Sequence, residues 1–347
     1  MAYRSSVAAG RLCSAVAGRF PLHVGTDCSG LGAVLIALQS LEVAFRHVFA
    51  SEIDHVAIQQ LFGTFLPEVF FLDVFSRRSD QTPCVDVYCC GFPCQPFSQA
   101  GRRTGFGSST VAGSGHIFFH ILDYIHAAKP RLFILENVEG LEFCNDGECF
   151  RTILRALYDL VEYNIYWSLL NTKDYGVPQN RARYFFVGIL RTFDEGTFCF
   201  PQAMPCPPLA SFLEPRMRRP TWQDLPGSGN AAHNVVSGLQ AIVAMGHSPF
   251  DEPWVVDCDS SHAFSSVRHN VSPCLTRCRS RGYWLTSHGR RMTMQEQMRL
   301  QGIPVDHDVH VAAADFCKLL GNSISINVLR SILRSALPAA RLWDFQL

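Results

Sequence analysis

Leu22-His23-Val24-Gly25-Thr26-Asp27-Cys28-Ser29-Gly30-Leu31-Gly32 is the stretch that decides the fold. Its first six residues have the pattern of a buried strand, and the glycine-containing turn that follows leads into an apolar helical run at residues 33–41. Residues 22–190 repeat this alternation of strand and helix. The alternation predicts a doubly wound, mostly parallel α/β sheet, which binds ligands at the carboxyl ends of its strands.

The remaining elements are predicted from the same hydrophobic periods. After the first strand, further strands are predicted at residues 43–52, 70–74, 85–90, 131–135, 165–170 and 184–189. Helices are predicted at residues 33–41, 55–65, 116–128, 150–160 and 322–337. Polar residues at the strand ends are therefore the candidates for a functional site.

Length and composition define a broad class. The 347 residues suffice for one large domain, or for a large and a small one, and 48% of them are apolar. No run approaches the roughly 18 apolar residues of a membrane span. Fourteen irregularly spaced cysteines, without a signal peptide, predict reduced thiols in a nuclear or cytoplasmic protein. Residues 1–26 contain three arginines and no acidic residue, which leaves import into an organelle open.

The cysteines do not predict a metal site. Four of them cluster without the paired C-x-x-C spacing of a zinc site: Cys84, Cys89, Cys90 and Cys94. Cys144 and Cys149 supply too few further ligands. We therefore expect no metal ion.

Charge is balanced overall but unevenly distributed. The net charge is zero, so there is no global sign of nucleic-acid binding. Residues 266–299 nevertheless contain seven arginines and one acid, Glu296. Two smaller clusters are Arg216 with Arg218 and Arg219, and Arg102 with Arg103. Each cluster alone is typical of a solvated face, but three clusters near one candidate site favour a phosphate-bearing substrate.

Polar residues at the first three strand ends predict an adenosine cofactor. Gly30 and Gly32 let the backbone approach a ligand closely, and the helix N-terminus that follows favours its negative group. Glu52 closes the second strand, where an acidic residue typically holds ribose hydroxyls. Asp73 follows the third strand and can receive an amino group. The third glycine of the G-x-G-x-x-G pattern is missing, which argues against NAD or FAD.

Cys94 is the candidate nucleophile. It follows the apolar run at residues 85–90 and lies between Pro93 and Gln95-Pro96, and the two prolines stiffen the loop. A single cysteine of this kind is more often a buried structural thiol. The residues at other strand ends favour the nucleophile instead.

Two further motifs supply these residues. Glu136 follows an apolar strand and is expected at the same edge as Cys94, where a partly buried carboxyl can have a raised pKa and act as an acid. Arg181 and Arg183 alternate with Ala182 and are expected on one side of an extended segment. The plainer alternatives are a helix cap or ion pair for Glu136 and a surface ion-pair ladder for the arginines.

With these motifs, the chain resembles a known family, the cytosine-C5 methyltransferases. The resemblance spans about residues 22–337, apart from a variable stretch near residues 190–265. The motifs that carry it, in chain order, are Gly30-Leu31-Gly32, Glu52, Asp73, Pro93-Cys94-Gln95, Glu136-Asn137-Val138, Gln179-Asn180-Arg181-Ala182-Arg183, Pro273-Cys274-Leu275-Thr276-Arg277, Arg299-Leu300-Gln301-Gly302-Ile303-Pro304 and Gly321-Asn322-Ser323. So many motifs in one order are highly specific.

The resemblance implies an architecture and partners. The fold is expected to be a Rossmann-like methyltransferase sheet with a smaller target-recognition domain. The catalytic domain is expected at residues 22–190 and 284–347, the target-recognition domain at residues 191–283, and an N-terminal tail at residues 1–21. The implied cofactor is S-adenosylmethionine, and the implied partner is duplex DNA that contains a target cytosine. We expect a monomer.

The resemblance also implies residue roles. Cofactor-binding residues are expected to be Cys28, Ser29, Gly30, Gly32, Glu52, Ile53, Asp73, Val74, Pro93, Asn322 and Ser323. Substrate-binding residues are expected to be Gln95, Ser98, Asn137 and Arg277. The catalytic residues are expected to be Cys94, Glu136, Arg181 and Arg183.

These roles describe one reaction on a flipped-out base. The Cys94 thiolate is expected to add to cytosine C6 and make C5 nucleophilic. Glu136 holds N3 and the exocyclic amine, Arg183 binds O2, and Arg181 supports the loop. A base that the sequence does not identify then removes the C5 proton, and Cys94 leaves.

The chain departs from the family at two positions. Family members usually carry an aromatic residue at position 28, which packs on the adenine, and an acidic residue at position 26; here these are Cys28 and Thr26. The cofactor pocket is therefore expected to be looser, or filled by another side chain. The catalytic residues are unaffected, so activity is expected.

Three alternatives remain. A branch of the family methylates cytosine in tRNA and usually carries a Cys-Phe-Thr segment, whereas Cys274-Leu275-Thr276 here favours DNA. A catalytically inactive nucleic-acid-binding paralogue typically lacks the cysteine or the glutamate, and both are present. A different adenosine-binding enzyme, such as a dehydrogenase, fits poorly with the missing third glycine and the Pro-Cys-Gln loop.

Overall fold

The computed structural model describes residues 20–93, 116–227, 229–261 and 266–345. The chain forms two compact units. Unit 1 takes the described residues of Met1–Leu170, Ala182–Gln202 and Val328–Leu347, and unit 2 takes those of Asn171–Arg181 and Ala203–Asn327.

Eleven strands and eight helices are formed by the described residues. The strands are β1 Leu22–Asp27, β2 Phe45–Ser51, β3 Val69–Phe71, β4 Val87–Gly91, β5 Leu132–Val138, β6 Tyr163–Asn171, β7 Ala182–Leu190, β8 Trp254–Val256, β9 Val267–His269, β10 Trp284–Leu285 and β11 Arg290–Arg291. The helices are α1 Ala33–Ser40, α2 His55–Thr64, α3 Ile117–Ala128, α4 Glu148–Tyr158, α5 Asn230–Ala244, α6 Met294–Gln301, α7 Ala313–Asn322 and α8 Ile326–Ala339. The predicted strands and helices of residues 22–190 are all present, with bounds that differ by a few residues.

Unit 1 is built on a seven-stranded sheet with the order β3-β2-β1-β4-β5-β7-β6. Strands β1 to β5 pair in parallel, and β7 pairs antiparallel to β5. The predicted α/β fold with a mostly parallel sheet is therefore confirmed. The strand order reverses between β1 and β4, and an open α/β sheet binds ligands at such a reversal.

The core of unit 1 explains why its strands are continuous apolar runs. Residues 132–135 of β5 are all fully buried, which is typical of a parallel strand covered on both faces. On one side, Tyr88 and Phe133 pack in a cluster with Tyr124 of α3 and Ile153 of α4. Helix α1 is apolar all round and buries residues 33–38, as expected of a helix inside the core.

Unit 2 contains a small antiparallel sheet with the order β11-β10-β8-β9. Its core includes Val255, Leu275, Tyr283 and Leu285. A capping box fixes the start of α6, because Thr293 and Glu296 each accept a backbone N–H of the other.

The C-terminal region corrects one predicted element. A single helix is predicted at residues 322–337, but α7 ends at Asn322 and α8 begins at Ile326. Ser323 between them has an extended backbone with ψ 152°, and its carbonyl accepts hydrogen bonds from Arg181 and Gln301. These long-range bonds take the place of a continuous helix.

The two units are defined by how the chain packs, whereas the predicted domains are defined by their expected roles. The two sets of boundaries therefore differ. Residues 328–347 belong to unit 1, whereas residues 284–327 belong to unit 2 together with most of the predicted target-recognition domain. The domain roles stay a prediction. Within the described part of the chain, none of the helices has the length and apolarity needed to cross a membrane.

Candidate functional site

The turn after β1 has the backbone of a ligand-binding loop. Cys28, Gly30 and Gly32 all adopt positive φ, at 49°, 53° and 74°. Glycine takes this conformation without penalty, whereas a cysteine is strained in it. The turn is tied to the end of β2, because Ser29 N–H donates to Ser51 O at 3.1 Å and Gly30 N–H donates to a Glu52 carboxylate oxygen at 2.8 Å.

Glu52 also orders the loop that follows β2, in addition to the turn that follows β1. Its other carboxylate oxygen accepts the N–H groups of Ile53 and Asp54 at 2.9 and 3.0 Å. Ile53 itself is 68% exposed, although it is a large apolar residue. Backbone amides thus fix the Glu52 carboxylate at the edge of the sheet where the parallel strands end. The exposed side chain of Ile53 follows it directly in sequence.

The third loop begins at Asp73. Its carboxylate accepts Phe75 N–H at 2.9 Å and so caps a short 3₁₀ helix, Val74–Ser76. Val74 is buried, whereas Asp73 is half-buried. The glycine turn after β1, Glu52 after β2 and Asp73 after β3 thus follow three neighbouring strands and lie at the same edge of the sheet.

Ser29 and Cys28 contact protein groups of this edge. Ser29 is buried, and its hydroxyl lies 2.6 Å from Thr26 Oγ1 and 3.1 Å from Ser51 O. Cys28 is half-buried and packs against the core cluster that contains Cys90 of β4. Burial, with a smaller contribution from Cys28, raises the pKa of the Cys90 thiol. Burial also raises the pKa of Cys89. These two thiols are therefore structural.

Strand β4 leads to the predicted nucleophile. Gly91, at its end, is paired with Glu136 of β5, and Phe92 is buried. Pro93 is the last described residue before the gap. Cys94, Gln95 and Ser98 lie outside the described residues, as do Arg102 and Arg103.

Glu136 and Arg183 form a buried ion pair. Arg183 Nε lies 3.1 Å from Glu136 Oε1, and the two side chains are only 16% and 10% exposed. Val138 is the residue directly opposite Arg183, so Glu136 and Arg183 are diagonal neighbours on one face of the antiparallel β5–β7 pair. The guanidinium compensates a carboxylate that would otherwise be costly to bury.

Asn137 organises the same edge from the opposite face of β5. It is fully buried, its amide donates to Phe92 O at 3.4 Å, and its oxygen accepts Val138 N–H at 2.8 Å. Its described contacts thus hold the backbone that enters the cysteine loop. A substrate-binding role for Asn137 stays a prediction.

Arg181 contacts a different set of residues from Arg183. It belongs to unit 2, is 3% exposed, and donates to the carbonyls of Leu275, Gly321 and Ser323 at 2.9, 3.3 and 2.6 Å. Arg183 belongs to unit 1. The guanidinium of Arg181 therefore joins two other predicted motifs, at residues 273–277 and 321–323, within unit 2.

The Gly321-Asn322-Ser323 motif lies within unit 2. A Cβ at position 321 would come within 2.3 Å of the backbone at Thr276 and Arg277, so only glycine permits this approach of α7. Asn322 is exposed and Ser323 is buried. Arg277 is exposed in a short 3₁₀ helix, Arg277–Arg279. Cofactor and substrate roles for these residues stay predictions.

Many arginines of unit 2 are paired with acids, and in four of the six pairs the acid lies more than 20 positions away in sequence. The pairs are Arg218 with Asp224, Arg219 with Asp251, Arg279 with Asp257, Arg290 with Glu296, Arg291 with Asp259 and Arg299 with Glu214. The arginine-rich segment is thus less positive than its own sequence indicates. Across the described ranges, there is no group of three or more His, Cys, Asp or Glu residues arranged to hold a metal ion.

The sequence motifs miss two residues, Asp27 and Arg77. Both side chains are inaccessible, and Arg77 Nη2 donates to Asp27 Oδ2 at 2.6 Å. The signal for Asp27 is an acid at the end of an apolar strand, directly before the glycine turn. Arg77 follows the third strand by six residues and has no such signal.

Comparison with known proteins agrees with these motifs. The family model described as C-5 cytosine-specific DNA methylase matches residues 28–235 and 257–337. The chain is 30% identical to the type II methyltransferase M.NgoBI of Neisseria gonorrhoeae over 87% of this chain and 89% of that protein. It is 31% identical to the type II methyltransferase M.HaeII of Haemophilus aegyptius over 88% and 90%. The fold is similar to that of the S. pombe Dnmt2 methyltransferase, with a TM-score of 0.60, 19% identity, and coverage of 91% of this chain and 98% of that one.

Proposed function

This chain belongs to the C-5 cytosine-specific DNA methylase family, and from that premise we propose that it transfers a methyl group from S-adenosylmethionine to C5 of a cytosine flipped out of duplex DNA. The chain is thus a methyltransferase of the cytosine-C5 class. The methyl donor, the duplex substrate and the residue roles are the parts that we propose.

The buried Glu136–Arg183 pair is the observation that carries the proposal. One carboxylate and one guanidinium lie together on a strand face at the edge from which the Cys94 loop departs. A cytosine ring needs both groups: an acidic partner for N3 and the exocyclic amine, and a cation for O2 as negative charge develops there. Gly91, three residues before Cys94 in the sequence, is paired with Glu136, so the chain enters the cysteine loop beside the carboxylate.

The first three loops of unit 1 fit an adenosine cofactor. The turn at Gly30 has room, because a Cβ at that position would meet no atom closer than 3.9 Å. Glu52 is held by backbone amides, and the exposed Ile53 beside it offers an apolar surface. Since Cys28 replaces the usual aromatic residue, we propose that Ile53 supplies much of the apolar contact to the adenine. When bound, S-adenosylmethionine supplies an electrophilic methyl group.

The side chains of this protein prepare the cytosine to accept that group. The Cys94 thiolate forms a bond to C6, and the electron pair of the C5–C6 double bond makes C5 nucleophilic. Glu136 holds N3 and the exocyclic amine, and Arg183 holds O2. Once C5 is methylated, a base removes the C5 proton, the double bond re-forms, and the thiolate leaves.

Unit 2 is the proposed source of target recognition. Residues 203–283 supply much of it, and Arg268, Arg277 and Arg281 are exposed there. Exposed arginines are suited to contact phosphates, which position a duplex without specifying its sequence. Arg181 supports this unit through its bonds to three backbone carbonyls.

The test is transfer of a labelled methyl group to duplex DNA and, in parallel, to tRNA. The proposal expects label in duplex DNA at C5 of cytosine, at positions that sequencing of the modified cytosines identifies. Label in tRNA alone would contradict the choice of DNA, and label in neither substrate would contradict the activity. DNA methylation with Cys94→Ser at the wild-type rate would contradict the covalent mechanism.

A further inference from the structure

A buried carboxylate lies beneath the loops of unit 1. Asp27 is fully buried at the end of β1 and accepts hydrogen bonds from three side chains. Arg77 Nη2 and Tyr88 Oη each donate to Oδ2 at 2.6 Å, and Ser51 Oγ donates to Oδ1. We call these four residues the Asp27 node.

Arg77 is enclosed by aromatic rings as well as by its ion pair. Its guanidinium lies 4.7 Å from the ring centroid of Tyr124 and 5.6 Å from that of Phe49. It also donates to Thr82 Oγ1 at 3.3 Å. Because the Arg77 guanidinium is buried and packs on two aromatic rings, its orientation is restricted.

Three members of the node, Asp27, Ser51 and Arg77, lie next to three different loops of the sheet edge, and Tyr88 lies in the neighbouring strand β4. Asp27 directly precedes the turn at Cys28, and Ser51 directly precedes Glu52. Arg77 ends the 3₁₀ helix that Asp73 caps, and its N–H donates to Val74 O at 3.3 Å. Tyr88 lies within β4, three residues before that strand ends at Gly91. One carboxylate therefore joins the ends of β1 and β2, the end of the 3₁₀ helix that follows β3, and the interior of β4.

The turn needs such support. Cys28, the residue after Asp27, has a φ of +49°, a left-handed conformation that strains a non-glycine residue. A strained residue of this kind persists only when the surroundings fix the conformation. A buried ion pair, in contrast, is often neutral for stability when both partners are replaced by a matched uncharged pair. Overall stability alone therefore does not explain the node.

We infer that the Asp27 node positions the cofactor loops, so that Asp27, Arg77 and Tyr88 determine affinity for the methyl donor without touching it. This inference rests on the proposed cofactor site. Arg77, which is outside every recognised motif, is a positioning residue. It acts through Asp27 on the turn at Cys28 and through the 3₁₀ helix on Asp73.

The first test replaces the charged pair as a whole with Asp27→Asn/Arg77→Met. Asparagine keeps the shape of aspartate and still accepts from Tyr88, and methionine fills the volume of the arginine stem. We expect a thermal unfolding midpoint close to that of the wild type. The dissociation constant of S-adenosylhomocysteine, measured by calorimetry, should rise roughly 3- to 30-fold. In turnover, the loss should appear in KM for S-adenosylmethionine rather than in kcat.

The second test uses a matched pair of tyrosines. Tyr88 and Tyr163 are both buried, and each donates one hydrogen bond, Tyr88 to Asp27 and Tyr163 to Pro130 O at 2.8 Å. Tyr88→Phe should weaken binding of S-adenosylhomocysteine, whereas Tyr163→Phe should leave it unchanged.

The outcomes separate this inference from the proposed function. Wild-type affinity in the Asp27→Asn/Arg77→Met variant, or equal losses in the two tyrosine variants, would overturn the positioning role and leave the proposed function standing. A wild-type protein that binds no S-adenosylhomocysteine would overturn the proposed cofactor, and the inference with it.

Discussion

Arg183 Nε lies 3.1 Å from Glu136 Oε1 across the antiparallel β5–β7 pair, and both side chains are largely buried. The antiparallel pairing makes this contact possible, because it brings residues 47 positions apart onto one strand face. The pair places a negative and a positive charge in a largely buried site. Because the effective dielectric constant is lower there than in water, their interactions with a substrate are stronger.

Replacing the carboxyl tests its role in catalysis. Glu136→Gln should lower kcat by roughly 10²- to 10⁴-fold, because an amide cannot take part in proton transfer. Glu139→Gln, an exposed change of the same kind three residues later, should leave kcat unchanged. Single-turnover methylation of duplex DNA measures both variants. An unchanged rate in Glu136→Gln would remove Glu136 from the mechanism.

Covalent attack predicts a trapped complex. DNA that carries 5-fluorocytosine should form a stable adduct with the protein, because fluorine cannot leave as a proton does. Cys94→Ser should abolish both the adduct and methyl transfer, with binding of S-adenosylhomocysteine retained. Cys84→Ser, at an exposed cysteine, should form the adduct normally. A denaturing gel detects the shifted band, and an adduct in Cys94→Ser would identify another nucleophile.

Two arginines of unit 2, one buried and one exposed, should differ in their contribution to stability. Arg181→Met removes the guanidinium donor from three buried carbonyls, of which Ser323 O keeps its bond from Gln301, and should lower the free energy of unfolding by about 2–4 kcal/mol. The exposed Arg281→Met in the same unit should cost under about 0.5 kcal/mol. Denaturant unfolding measures both. A cost for Arg181→Met as small as that of Arg281→Met would show that the carbonyls find other partners.

Buried histidines predict a loss of stability in mild acid. Burial lowers the pKa of His47 from its ordinary 6.5, with its nitrogens 3.0 Å from Thr26 Oγ1 and from Phe65 O. Burial also lowers the pKa of His288 and His307. Because the unfolded chain then binds more protons than the folded one, stability should be full above about pH 7 and fall as pH drops below about 6.5.

Variants assign part of this effect to His47. Thermal unfolding midpoints of His47→Gln should depend less steeply on pH between about 7 and about 5.5 than those of the wild type. His126→Gln, at an exposed histidine, should keep the wild-type dependence. A midpoint in the wild type that rises on acidification would contradict the sign of the effect.

Local patterns predicted most of unit 1. Residues 132–135 are recognisable as a buried strand because parallel strands are apolar on both faces, and the order of turn, acid and acid at successive strand ends follows from the parallel sheet. The structure adds that β7 runs antiparallel to β5, and this pairing brings Arg183 into contact with Glu136. No local pattern indicates this pairing.

Residues that depend on distant partners were not predictable in the same way. Arg77 is an ordinary surface residue by sequence, because its partner Asp27 lies 50 positions earlier. The break between α7 and α8 has the same origin, since the Ser323 carbonyl bonds to Arg181 instead of continuing a helix. Likewise, the sequence indicates that Arg279 and Arg291 are uncompensated positive charges, whereas in the structure they form ion pairs with Asp257 and Asp259.

The division of the chain into two units has a practical consequence for protein engineering. The backbone passes from one unit to the other at four junctions: Leu170/Asn171, Arg181/Ala182, Gln202/Ala203 and Asn327/Val328. Neither unit can therefore be excised as one continuous fragment, and swapping unit 2 between homologues requires two cassettes, residues 171–181 and 203–327. The shorter cassette ends between Arg181 and Arg183, so a chimaera that exchanged only the longer segment would leave Arg181 of one parent to recognise the carbonyls of the other.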